Sequence, residues 1–303
     1  MKKFIVLFAL VIIGADLFAQ QDPQYTQYMY NMLSVNSAYA GTRGQLSVIG
    51  LYRNQWVGFE GSPETFNLSI QSPINNSNVG LGVNIINDKI GPAQETYLDA
   101  NFSYTIKMLN SHKLSFGLKA GGRLFNVDWS KGLSKNEDTA FQQNIVDKFF
   151  GTIGAGVYYH SEKWYLGVSV PNFLQQEHYS EVQDYVAIEK IHFYGTSGLI
   201  LDLSNTVKFK PAFFIKMVTG APISFDVSAN FMVHEKFTMG AAYRWDDSVS
   251  ALVGFQITPK FNIGYAFDYT TSGLQNYNDG SHEVMLRYEL IRIDKKLKTP
   301  RFF

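Results

Sequence analysis

No cysteine occurs in the 303 residues, so neither a disulfide scaffold nor a thiolate metal site is available. Excess charge of either sign is missing too: 26 basic residues offset 26 acidic ones. Nucleic acid is therefore not an expected partner, since it calls for a basic surface. Beyond the first twenty residues no stretch approaches the roughly twenty apolar residues of a spanning helix. Mean hydropathy is −0.10, too low for a bundle of such helices. Catalytic signatures are also lacking. The histidines are His112, His160, His178, His192, His234 and His282, and they form no HExxH and no set with ligand spacing. No Gly-x-Ser-x-Gly occurs either. No catalytic residue, cofactor or metal ligand is assigned, and an enzyme built on the scaffold is the least supported reading. Asp246-Asp247 and Asn278-Asp279-Gly280 carry calcium-ligand chemistry but read more simply as turns. The stretch Gly80-Leu81-Gly82 is strand glycine and not a phosphate loop, because no lysine or helix follows it.

Aromatics are plentiful, with 24 Phe and 18 Tyr. The chain opens with Lys2-Lys3, an apolar run from Phe4 to Ile13 and then Ala19-Gln20. That layout is a secretory signal peptide over 1–19, and the run is too short to span a bilayer. From residue 45 onward the pattern has period two. Phe261, Ile263, Tyr265, Phe267 and Tyr269 share one face, and Asn262, Gly264, Ala266 and Asp268 share the other. Leu98, Ala100, Phe102, Tyr104, Ile106 and Met108 oppose Asp99, Asn101, Ser103, Thr105 and Lys107 in the same way.

This reading gives about fourteen strands, at 45–53, 64–71, 78–86, 95–109, 112–126, 149–160, 163–170, 191–203, 206–217, 222–233, 236–245, 248–257, 260–270 and 281–292. Most are near the roughly nine to eleven residues of a tilted membrane-crossing strand. The connections alternate. Even-numbered ones are mostly tight, such as Asn110-Ser111 and Thr258-Pro259, whereas odd ones are usually longer, above all 127–148 and 171–190; Asp246-Asp247 is the exception. Short turns at one end and long loops at the other predict an all-β, transmembrane antiparallel barrel with periplasmic turns and extracellular loops. An even strand count places both chain ends on the short-turn side.

A soluble sandwich or lipocalin-like barrel shares the alternation. Three features favour the membrane: the strand count, the glycines on the polar face (Gly117, Gly121, Gly154, Gly156, Gly240, Gly254, Gly264), and aromatics near strand ends. Tyr158, Tyr159, Trp164, Tyr165, Tyr243, Trp245 and Tyr269 are read as interfacial girdles. Asp99, Lys119, Arg123, Lys208, Lys210, Asp226, Arg244, Asp268, Arg287 and Glu289 fall on the less apolar, inward face. There they are expected to pair across strands and to line or plug a pore.

The expected organisation is a signal peptide (1–19), an N-terminal periplasmic or plug segment (20–44), the barrel (45–293) and a basic periplasmic tail (294–303). The N-terminal segment is polar-aromatic, with Tyr25, Tyr28 and Met32 at the spacing of a short helix and Asn31 and Asn36 as turn or cap residues. Its candidate docking or plug residues are Gln24, Tyr25, Gln27, Tyr28, Asn31, Asn36, Tyr39 and Gly41. Phe302 and Phe303 are candidate docking residues of the tail.

Gln21-Asp22-Pro23, Gln27 to Asn31, Asn36 to Gly41 and Tyr52-Arg53-Asn54-Gln55-Trp56 with Gly61-Ser62-Pro63 resemble the PorP/SprF family. So do Gly80 to Val83, Ser281 to Leu286 and the ending Thr299-Pro300-Arg301-Phe302-Phe303. The likeness spans the mature chain and is weakest in 127–148 and 171–190. It implies an outer-membrane protein of Bacteroidota linked to type IX secretion and gliding motility. It further implies, as partners, outer-membrane lipid, a large secreted surface adhesin, and secretion components including a periplasmic peptidoglycan-binding lipoprotein. A passive porin or small-solute transporter is the alternative.

Overall fold

The computed structural model describes residues 23–75, 77–131, 144–175 and 190–290. The signal-peptide region, most of 127–148 and 171–190, and Phe302-Phe303 of the tail lie outside the described residues. The strands are β1 (Leu46–Asn54), β2 (Glu64–Pro73), β3 (Val79–Ile90), β4 (Ala93–Lys107), β5 (Lys113–Val127), β6 (Ile145–His160), β7 (Trp164–Val170), β8 (His192–Leu199), β9 (Leu201–Asp202), β10 (Val207–Val218), β11 (Ser224–Val233), β12 (Phe237–Arg244), β13 (Ser248–Thr258), β14 (Phe261–Thr270) and β15 (Ser281–Leu290). β8 and β9 flank Ile200 and both pair with β10, so they form one stave of the wall. Every neighbour is antiparallel, and β1 pairs with β15 to close a fourteen-stave barrel without an edge. No described helix is long and apolar enough to cross a membrane.

The alternation sets the faces. On β4, Leu98, Phe102 and Ile106 are exposed to the outside, whereas Asp99, Asn101 and Ser103 are buried inside. The same inversion runs round the wall, with Val227, Val253, Ile263 and Leu286 outside and Ser228, Ser250 and Asn67 inside. Such an apolar exterior is tolerated in lipid and not in water. Inside, opposite charges pair across neighbouring strands as expected: Asp99 with Lys119 at 3.0 Å and Asp226 with Arg244 at 3.0 Å.

The connections at 108–112, 161–163, 203–206, 234–236 and 259–260 are short, and those at 55–63 and 271–280 are longer. One expected loop is a tight turn instead. β3 and β4 continue to Gly91-Pro92, closing a hairpin with the register Ile90↔Ala93. Its upper residues join through polar cross-strand contacts, such as Asn87 Nδ2 donating to Thr96 at 2.8 Å. Beyond the lipid band the outer face need not be apolar, so the alternation that marks a strand fades while the ladder continues.

The girdle also needs correction. Tyr243, Trp245 and Tyr269 face outward near the long-loop end, and Tyr159 and Trp164 pack edge-to-face at 5.0 Å at the other end. Tyr158 and Tyr165 are only 2% exposed and point into the lumen. In the pairs Tyr158-Tyr159 and Trp164-Tyr165, alternation forces one ring of each inward.

Candidate functional site

The lumen is occupied by the chain's own segment from Pro23 to Gln45. Tyr28, Met29, Met32 and Leu33 are among the most buried large side chains of the molecule. The segment is not an α-helix but three successive 3₁₀ turns, Tyr28–Tyr30, Met32–Ser34 and Ser37–Tyr39. Asn31 leaves helical geometry at φ −124°, ψ 60°. Asn36 is extended and caps the third turn, its Oδ1 accepting from Ala38 N at 2.9 Å. Backbone groups that a longer helix would satisfy internally bond to the wall instead. Asn84 donates to Leu33 O at 3.0 Å, Ser169 to Val35 O at 2.6 Å and Ser103 to Ala40 O at 2.7 Å.

The segment runs from the long-loop end to the short-turn end. At the first end, Gln24 donates to Asp226 at 3.1 Å, near the start of β11. The backbone N–H groups of Thr26 and Gln27 donate to the two oxygens of Glu283 at 2.9 and 2.8 Å. Thr26 Oγ1 donates to Asp268 at 2.7 Å. Arg53 binds this group together, pairing with Asp268 at 2.7 Å and Glu283 at 3.2 Å. Lower down, Asn67 holds both Tyr25 and Asn31, donating to the Tyr25 hydroxyl and accepting from Asn31 Nδ2, each at 3.2 Å. Tyr28 packs on Phe214 at 4.9 Å, and Tyr39 meets Tyr158 edge-on at 5.4 Å. Asn36 Nδ2 reaches Val157 O at 3.1 Å. At the short-turn end Gly41 N donates to Gln71 at 3.0 Å, and Arg43 pairs with Glu289 near the end of β15. Burial pushes the Tyr25, Tyr28 and Tyr30 hydroxyls above ordinary phenol values, so all three stay neutral at physiological pH.

Of the eight residues singled out in this segment, Tyr25, Gln27, Tyr28, Asn31, Asn36 and Tyr39 are buried, and Gln24 and Gly41 are half-buried. All eight face the barrel wall. The first described residues sit at the long-loop end, whereas the even strand count led to the expectation of an N-terminal segment at the short-turn end. Sequence reasoning passed over Thr26, Arg43 and the wall residues Arg53, Asn67 and Glu283. Arg43 did leave a signal, being the only charged residue between Asp22 and Arg53.

The polar turns have structural partners. Asp247 pairs with Arg244 at 3.1 Å, and Asn278 Oδ1 accepts from Gly280 N at 2.8 Å. His112 stacks on Tyr159 at 5.6 Å, and His282 meets the Tyr265 hydroxyl at 2.6 Å. Among the described residues no three His, Asp or Glu converge to hold a metal ion.

The family profile described as "Type IX secretion system membrane protein PorP/SprF" matches residues 17–288. No curated protein sequence matches the chain. Among solved structures, a CymD monoaromatic hydrocarbon channel is similar at 10% identity and TM-score 0.51, covering 87% of this chain and 93% of that one. The Acinetobacter baumannii outer membrane protein Omp33 aligns at 9% identity and TM-score 0.45, covering 81% and 98%. At such identities the first likeness speaks to the barrel fold alone.

Proposed function

The chain belongs to the PorP/SprF family of type IX secretion system membrane proteins, and on that premise we propose that it is a self-plugged outer-membrane barrel serving as a binding and anchoring component of secretion, not as an open pore. Its task in this reading is to assist the export, surface attachment or anchoring of a large secreted adhesin or of the machinery. Outer-membrane lipid surrounds the wall, and a peptidoglycan-binding lipoprotein of the machinery meets the periplasmic end. The observation that carries the reading is the filled lumen: Pro23 to Gln45 bonds to the wall at both ends and between. A segment so held leaves the loops, the turns and the tail as the surfaces for partners. A passive porin would need that space free.

Co-purification from native membranes of a Bacteroidota host tests the reading. The intact barrel should carry secretion components or an adhesin with it. A variant lacking 21–41 should still insert and should lose them if the segment shapes the periplasmic face. A barrel that purifies without any such partner sinks the proposal.

A further inference from the structure

On the outer face of the wall, near the long-loop end, one rung of the ladder changes chemistry. Asn54 of β1 stands directly opposite His282 of β15 on one side and Glu64 of β2 on the other, and Glu64 in turn faces Lys89 of β3. The chain neighbours Arg53, Glu283, Thr65 and Asp88 are buried in the lumen. Alternation therefore turns these four side chains outward. The next outward rung toward the middle of the wall is apolar and lipid-facing, with Tyr52 opposite both Phe66 and Val284, 45%, 45% and 39% exposed. The polar rung thus stands where acyl chains give way to headgroups.

Two features set this rung apart from an ordinary hydrated surface. The Tyr265 hydroxyl lies 2.6 Å from His282 Nδ1, and the Phe267 ring packs on the imidazole at 5.2 Å. The phenol is the stronger acid of the pair, so it donates to Nδ1 and His282 carries its proton on Nε2. That makes His282 a fixed donor beside the Asn54 side-chain amide. The second feature is Glu64. Among the described residues neither its carboxylate nor the Asn54 amide is engaged in a hydrogen bond or an ion pair, not even with Lys89 across from Glu64. Two donors and a carboxylate thus follow one another at intervals of one strand, about 4.7–4.9 Å.

That order disfavours a simple ion. A purely anionic headgroup would take the two donors but meet repulsion from Glu64, and a metal cation at Glu64 would meet Lys89. A phosphoethanolamine headgroup carries both charges, and its two-carbon bridge sets them roughly one strand spacing apart. We propose that Glu64, Asn54 and His282 bind the headgroup of phosphatidylethanolamine. The phosphate accepts from Asn54 Nδ2 and His282 Nε2, the ammonium donates to Glu64, and the acyl chains lie along Tyr52 and Phe66. The site needs neither the plug segment nor a secretion partner.

The experiment uses the purified full-length barrel, delipidated in detergent and offered an equimolar mixture of phosphatidylethanolamine, phosphatidylcholine and phosphatidylglycerol with identical chains. Native mass spectrometry counts the lipids retained. Phosphatidylcholine keeps both charges but has no N–H for Glu64, and phosphatidylglycerol keeps the phosphate without the ammonium. The wild-type barrel should retain phosphatidylethanolamine severalfold over either. Glu64→Ala should abolish that preference, and His282→Phe should lower retention of all three lipids. Equal retention of the three lipids by the wild type, a preference for phosphatidylglycerol, or a phosphatidylethanolamine preference left intact in Glu64→Ala would each overturn the proposal. Unchanged retention in His282→Phe would overturn it too. Should His282→Phe fail to fold, Glu64→Ala still decides, since Glu64 is exposed and holds no other group in place.

Discussion

Gly117 shows how closely the plug and the wall approach. A Cβ built there would lie 2.1 Å from Ala38 N and 2.4 Å from Ser37 C, both backbone atoms that cannot turn aside. Gly254, on the same inward face of β13, has nothing nearer than 3.5 Å. Gly117→Ala should therefore destabilise the folded barrel by about 1–3 kcal/mol, the usual cost of overpacking, while Gly254→Ala should be near neutral. The temperature at which the compact gel band converts to the unfolded band measures both, and equal behaviour of the two variants would contradict so close a contact between plug and wall. The glycines of the polar face were legible in the sequence as a set, but nothing in it separates these two, because the difference lies in what the segment brings opposite each. Tyr158 and Tyr165 illustrate the same limit. A tyrosine near a strand end suits an interface as well as a filled lumen, and only Tyr39 across from Tyr158 decides between them.

The strands themselves were readable because lipid outside and polar contacts inside write opposite chemistry on alternate residues. Where one solvent fell away, the writing stopped. β3 and β4 run past the membrane as a hairpin to Gly91 and looked like a loop. The plug segment has no periodic environment at all. Tyr25, Tyr28 and Met32 carry helical spacing, yet each short stretch meets a different part of the wall and the chain breaks into single 3₁₀ turns. Its anchoring rests on side chains far off in sequence, such as Glu283, which accepts both Thr26 N and Gln27 N. Hydrogen bonds to a charged group contribute about 1.5–3 kcal/mol each, so this end should stay seated. Deleting 24–40 removes the filling and leaves every strand intact. In planar bilayers the full-length barrel should be closed and the deletion should show discrete open-channel steps. If both conduct alike, the segment is not the plug.

At the scale of the whole molecule the two ends of the lumen are chemically distinct. Asp226, Asp268 and Glu283 cluster with Arg53 and Arg244 toward the long loops, and Arg43, Lys210 and Arg287 gather toward the short turns. The plug spans both, descending from Gln24 to Gly41 before the chain turns up into β1. Loop lengths place the short turns in the periplasm, and with that orientation the upstream end of the plug opens toward the cell surface. The absence of native cysteine makes the point directly testable, because any single introduced thiol labels without background. Tyr277→Cys, 67% exposed in a long connection, should react with a membrane-impermeant maleimide on intact cells. Asn205→Cys, exposed in a short turn, should react only once the outer membrane is opened. Gln24→Cys should follow Tyr277→Cys, more slowly because it is half-buried. If Gln24→Cys follows Asn205→Cys while Tyr277→Cys still labels on intact cells, the segment enters the lumen from below, against the direction its contacts with Asp226 and Gln71 imply. Reversal of both controls would invert the whole barrel in the membrane and leave its internal geometry unchanged.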